Sequence, residues 1–196
     1  MKPIHYTEDQ VQQLRLDIAK ELKLTIKKIS YYNSRNGEGM HCNLYINNKK
    51  VGWVEDEGRG GSYKFRASNT LLSGDEDELR ENDRVLNEYR AHVNNYPQFS
   101  QDDRFTGKPE ISSHDFEDII IALEEEYRAR KEARKGIFYK DKGGTTKFVS
   151  WKTGNLTKVK KVHGVMLIQR KYWSLKEEGH TVLYEDVLQE LGVVTE

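Results

Sequence analysis

"MHCNLYINNKKVGWVEDEGRGGSYKF", residues 40–65, is the stretch on which the fold turns. Met40, Cys42, Leu44 and Ile46 alternate with polar residues, the period of a strand with one buried face. Asn47-Asn48 follows where the chain must reverse, and Asn accepts positive φ almost as readily as Gly, so the pair suits a tight hairpin. "KVGWVE" and "SYKFRA" resume strand character, and "LTIKKISYY" from residue 24 precedes them with the same period. Together these segments predict an antiparallel meander of about four strands.

The Gly-rich part of that stretch raises a question of its own. A Walker-type phosphate loop needs a Lys and a Ser or Thr after its last glycine, and it opens a helix whose amides point at the anion. Here Gly61 is followed by Ser62-Tyr63-Lys64-Phe65, which alternates like a strand. The loop therefore joins two strands, and its glycines supply backbone angles that other residues avoid. The competing expectation is an anion nest made by Gly58, Arg59, Gly60 and Gly61.

"LYINNKKVGWVEDEGRGGSY" also resembles a segment of an uncharacterised group of small bacterial and phage proteins. In that group a strand, a two-residue turn, a Lys-Lys-x-Gly-x-Val run and an acidic-Gly-basic-Gly-Gly loop follow one another. The likeness covers roughly residues 23–65. It implies that the meander and the loop occur together and that the origin is bacterial or phage; no activity comes with it.

Outward from the meander, Thr7 and Gln10 have capping-box form, and Val11, Leu14, Ile18 and Leu22 recur at helical spacing. Downstream, Leu79, Val85, Leu86, Tyr89 and Val93 make a second helix with acidic residues in its first turn. "NNYPQFSQDDRFTGKPEISS" reads as an irregular loop. Ser112 or Ser113 then caps a helix whose buried stripe is Phe116, Ile119, Ile120, Leu123 and Tyr127, with Gly136 ending it. "GIFYK" and "TKFVSW" suggest a second small sheet. Helical period returns through Val162, Val165, Gln169, Tyr172 and Trp173 up to Gly179, and "TVLYEDVLQELGVV" reads as a strand plus short helix or as one helix. The last two helical runs echo the start of a helix-turn-helix, without room for a recognition helix.

The expected class is therefore α+β: an N-terminal helix, an antiparallel β-meander, central helices, and a smaller C-terminal β-hairpin plus helix region. The segments are 1–72, 73–136 and 137–196, packed as one domain.

Composition narrows function by exclusion. The chain has 196 residues, 36% hydrophobic and 33% charged, and a single cysteine. No disulfide within the chain and no thiolate zinc cluster can form from Cys42 alone. The start of the chain has no apolar signal core, and no uncharged run is long enough for a bilayer, which points to the cytoplasm and away from membranes. His-Glu-x-x-His, Gly-x-Ser-x-Gly, Gly-x-Gly-x-x-Gly and a complete calcium loop are all missing, so no catalytic residue, metal or cofactor is assigned. His41 and Cys42 are neighbours on a strand and point to opposite faces.

The unusual signal is segregated charge. Residues 74–126 carry 16 acidic and 5 basic side chains, whereas 127–176 carry 15 basic and 2 acidic, in a chain whose formal net charge is zero. One expectation is self-complementation, each face merely solvating the surface. The other is a partner surface made by Arg128, Arg130, Lys131, Arg134, Lys135, Lys140, Lys142, Lys147, Lys152, Lys158, Lys160 and Lys161, with Tyr139, Phe148 and Trp151 for stacking. On this reading the protein is a non-enzymatic binding or regulatory protein of a phage or mobile element. Its partner is another protein or, weakly, nucleic acid. The alternative is a protein that binds or processes a nucleotide or phosphate at the Gly-rich loop.

Overall fold

In the computed structural model, which describes residues 4–35, 37–59, 62–67, 76–102 and 106–195, the capping box forms as the sequence predicts. The Gln10 amide donates to Thr7 Oγ1 at 3.3 Å and the Thr7 amide to Gln10 Oε1 at 2.9 Å, opening helix α1 (Glu8–Glu21). The protein is α+β. It divides into two compact units, residues 1–124 and 125–196.

In the first unit, β1 (Leu24–Ser34), β2 (Gly37–Ile46), β3 (Lys49–Asp56) and β4 (Lys64–Ala67) form an antiparallel sheet in sequence order. Asn47 and Asn48 both adopt positive φ, 50° and 64°, so the β2–β3 turn has the mirror-image geometry that matches strand twist. The register of β1 slips between Lys27 and Ser30, so that Lys28 and Ile29 together oppose Cys42. This bulge reverses the parity of the strand. Ile26 before it and Ile29 and Tyr31 after it consequently pack against one core, with Leu24, Met40, Cys42, Leu44 and Val54.

Helices α2 (Glu76–Val93) and α3 (Phe116–Ala133) supply Leu86, Val93, Phe116, Ile119 and Ile120 to that core. Between them the expected irregular loop contains a short hairpin, β5 (Phe99–Asp102) with β6 (Pro109–Ser112). Among its described residues the one buried apolar anchor is Phe99, 1% exposed, too little to mark a strand in the sequence pattern. Ser100 adds backbone hydrogen bonds with Ile4 and Tyr6. Helix α3 is capped by Asp115 rather than Ser112 or Ser113: Asp115 Oδ1 accepts from the Asp118 amide at 2.8 Å. Tyr127, expected in the buried stripe, is 38% exposed.

In the second unit, β7 (Ile137–Lys140) lies between β8 (Thr146–Val149) and β9 (Thr181–Val182). Gly136 precedes β7 with an ordinary φ. It is small because a Cβ there would collide with the Val149 carbonyl and the Phe148 ring. The helical run expected to be continuous from Val162 breaks at Gly164, φ 78°, into α4 (Leu156–His163) and α5 (Val165–Glu177). Leu156, Val159, Ile168, Tyr172, Leu175 and Leu188 of α6 (Glu185–Glu190) fill the core, while Val162 and Trp173 are exposed. β9 separates α5 from α6, so they do not form a helix-turn-helix. Among the described residues no helix is long and apolar enough to cross a membrane.

Candidate functional site

The Gly-rich loop joins β3 to β4, as its alternating flank predicts. Gly58 takes φ 67°, and its amide donates to Asp56 Oδ1 at 2.8 Å. The Tyr63 amide donates to Glu117 Oε1 at 3.1 Å. Two amides of the loop are thus answered by the protein's own carboxylates. Arg59 lies 3.8 Å from Glu57, whose other oxygen meets Lys64; that hydrogen bond holds the Glu57 carboxyl below its ordinary range. Gly60 and Gly61, the remaining candidates for an anion nest, lie outside the described residues. Space also shapes this turn. A Cβ on Gly37 would sit 2.6 Å from the Gly58 carbonyl oxygen, and one on Gly58 2.8 Å from the Glu38 carbonyl carbon.

The basic residues of the second unit fall into two groups. Arg130 meets Glu126, Asp186 and Glu190, and Arg134 meets Glu190 at 2.9 Å. Lys135 pairs with Glu132 at 2.6 Å and Lys147 with Asp141 at 2.7 Å. Arg128 and Lys131 are engaged as well. In contrast, Lys140, Lys142, Lys152, Lys158, Lys160 and Lys161 find no carboxylate partner among the described residues. Most of this second group comes from α4 and the Trp151–Gly154 turn beside it. That turn is held to α4, since a Cβ on Gly154 would sit 3.2 Å from the Lys158 stem, and Thr153 Oγ1 is 3.4 Å from His163 Nε2.

Trp151 opens onto a cleft of about 310 Å³ lined by Val149, Trp151, Leu167, Arg170, Lys171 and Ser174. Its lining is mainly apolar and includes two cations, Arg170 and Lys171. Arg170, Lys171 and Leu167 were not singled out in the sequence, because the helical pattern marks α5 only by its buried side. A second hollow, about 520 Å³, is bounded by Asp141, Lys142, Gly143, Lys147, Glu178 and His180. There the Lys147 ammonium and the loop amides hold the Asp141 carboxyl below its usual range, and His180 lies 3.4 Å from Glu178. Lys147 and Asp141 answer one another there, while Lys142 at the same hollow has no carboxylate partner among the described residues.

The outward face of the meander presents a further set. Cross-strand register places Lys27, Asn43, Trp53 and Arg66 in one row and Thr25, Tyr45 and Lys50 in the next. The Lys27 ammonium stands 4.6 Å from the centre of the Tyr45 ring, and the Arg66 guanidinium 5.0 Å from that of Trp53. The strand alternation that buries Cys42 fixes the outward direction of these residues, and that was the signal available for them.

Cys42 is fully buried opposite this face, and burial pushes its thiol up to about 12. Glu124 adds to the shift while accepting a hydrogen bond from the Tyr31 hydroxyl at 2.9 Å. His114, 2% exposed and tilted against Phe99 with ring centres 4.6 Å apart, is held below its ordinary range by burial, with Arg15 contributing. Arg15 is occupied by Asp118 at 2.9 Å. Among the described residues no three His, Cys, Asp or Glu side chains gather as metal ligands. Compared with protein-family models, curated proteins and solved structures, the chain matches none.

Proposed function

We propose that the protein is a nucleic-acid-binding protein that acts without chemistry of its own. The observation that carries this reading is the Trp151 cleft, a largely apolar hollow lined also by Arg170 and Lys171, beside a turn and helix whose lysines have no carboxylate partner among the described residues. Each component has a role in holding a polyanion. Lys152, Lys158, Lys160 and Lys161 can neutralise backbone phosphates and release their counterions, which supplies sequence-independent affinity. Trp151 and Leu167 offer a base an aromatic and an aliphatic surface, and Arg170 can reach a phosphate or stack on the base. Arg130 and Arg134 belong to the fold rather than to the ligand, because their guanidinium groups are already met by α6.

Titration of labelled oligonucleotides by fluorescence anisotropy tests this. With about four phosphates contacted, affinity should fall roughly a hundredfold between 50 and 200 mM salt. The combined Lys158→Glu, Lys160→Glu and Arg170→Glu variant should lose binding while melting at the parent temperature. Binding that ignores salt, or that survives this charge reversal, would remove the nucleic-acid reading and leave an acidic protein partner as the alternative.

A further inference from the structure

We infer that the outward face of the β1–β4 sheet is a stacking platform for single-stranded nucleic acid. The inference rests on the proposed function for its class of ligand, but it concerns a different surface and narrows the ligand to single strands. In the first unit Leu24, Met40, Cys42, Leu44, Ile46 and Val54 of the sheet turn to one side, into the core they share with α1, α2 and α3. The other side carries residues that a solvated sheet face has no need of. Trp53 and Tyr45 are only half-buried, and His41 lies beside Trp53 with ring centres 5.2 Å apart.

The order of residues across the strands is what points to a strand of nucleic acid. The row Lys27, Asn43, Trp53, Arg66 sets a cation at each edge, with an amide and an indole between them. With strands about 4.8 Å apart the row spans roughly 14 Å, room for about two nucleotides in extended form. Tyr45 and Lys50 extend the surface by one row. A duplex keeps its bases stacked on each other, so a flat aromatic row is useful only to a strand whose bases are unstacked. Arg66 and Lys27 now lie over Trp53 and Tyr45 as cations over rings. An incoming base replaces the cation on each ring, and the freed cation moves to the adjoining phosphate. Asn43 can donate to or accept from a base edge.

Charge fixes which end of the face is used. The next row is Ser30, His41, Glu55 and Lys64, and beyond it lie Asp56 and Glu57, with Lys64 tied to Glu57. A phosphate is repelled there. The platform is therefore the Trp53 and Tyr45 rows, on the side away from the Gly-rich loop.

The test uses the full chain with Trp151→Phe and Trp173→Phe, leaving Trp53 as its only tryptophan. Oligothymidylate should quench its emission saturably, and a duplex of equal length should not. Trp53→Ala in the parent chain should weaken oligothymidylate binding about tenfold, and Lys27→Glu with Arg66→Glu should weaken it at least as much while leaving the indole and the fold in place. Unchanged Trp53 emission at saturating oligonucleotide, with binding lost only in the α4 and α5 charge-reversed variant, overturns the platform and leaves the proposed function standing. Loss of binding only in the sheet variants supports the platform and moves the site away from the second unit. No binding of any oligonucleotide at low salt overturns both.

Discussion

Arg130 and Arg134 at the end of α3, and Lys158, Lys160 and Lys161 on α4, belong to one basic run of sequence, but among the described residues only the two arginines of this set are answered by carboxylates. Their partners Asp186 and Glu190 come from α6, in the segment 177–196, which carries six acidic and no basic residues. That segment is an internal counter-charge for one part of the run and leaves the other part to solvent or a ligand. A guanidinium is planar, weakly hydrated and forked, which suits Arg130 to serve several carboxylates at once. Residue type alone does not draw the division, since Lys135, Lys147 and Lys176 each meet a carboxylate as well. Self-complementation and a partner surface were competing readings of the sequence; within the second unit each describes a different set of residues.

The most severe way to break this contrast is Arg130→Met. It leaves Glu126 and Asp186 without the cation they share and Glu190 with Arg134 alone, and at 31% exposure of the arginine side chain the expected cost is about 2 kcal/mol. An unchanged midpoint in urea would show that the cluster is mere surface solvation.

A pH titration sharpens the same point. The hydrogen bond from Arg134, followed by that from Arg130, holds the Glu190 carboxyl below its ordinary range. A carboxyl depressed in the folded state contributes stability above the ordinary glutamate range, and that stability is lost as pH falls through its folded value. Thermal melts should therefore lose stability in acid below about pH 4.5. Arg130→Met with Arg134→Met should flatten this part of the profile, and an identical acid slope in both proteins would contradict the assignment.

Smaller effects are expected on α4. Asn155 Oδ1 accepts from the Lys158 amide at 3.0 Å, so Asn155→Ala should cost about 1 kcal/mol through the lost cap. Lys160→Met and Lys161→Met should each stay within about 0.5 kcal/mol of the parent, since neither side chain has an ion partner among the described residues. A larger loss at either lysine would place it with the arginines. Cys42 gives a control for the intact fold: a thiol pushed up to about 12 by burial should label slowly until the protein unfolds, and stoichiometric native labelling within minutes would contradict its burial.

Where one residue decided the local structure, the sequence was readable. Thr7 with Gln10, the Asn47-Asn48 pair and the alternation from Met40 to Ile46 each fixed an element whatever its surroundings. The β5–β6 hairpin was not readable, because a four-residue strand anchored by Phe99 depends on pairing supplied from outside its own window. Gly164 was hidden for another reason. An apolar period continues on both sides of it, and a single glycine within a helical pattern does not by itself announce a break. For the candidate surfaces, basic residues could be counted but their partners could not, since Arg130 and Glu190 are 60 residues apart. Trp53 and Arg66 stood on separate strands, and only the register of β3 with β4 set them side by side.

The glycines at 37, 39 and 58 have a consequence for how this chain can diverge. Gly37 and Gly58 are fixed by angle as well as by space, with φ 150° and 67°. Gly39 is fixed by space alone, because a Cβ there would lie 2.5 Å from the Tyr32 ring and 2.8 Å from the Asp56 carbonyl oxygen. The Tyr32 hydroxyl in turn donates to that same carbonyl at 3.0 Å. Natural variants should therefore carry a side chain at position 39 only when two other changes are inherited with it: a smaller residue at position 32 and an insertion or deletion between residues 56 and 63 that moves the end of β3. Single drift at position 39 is closed, and the hairpin end and the loop descend as one block.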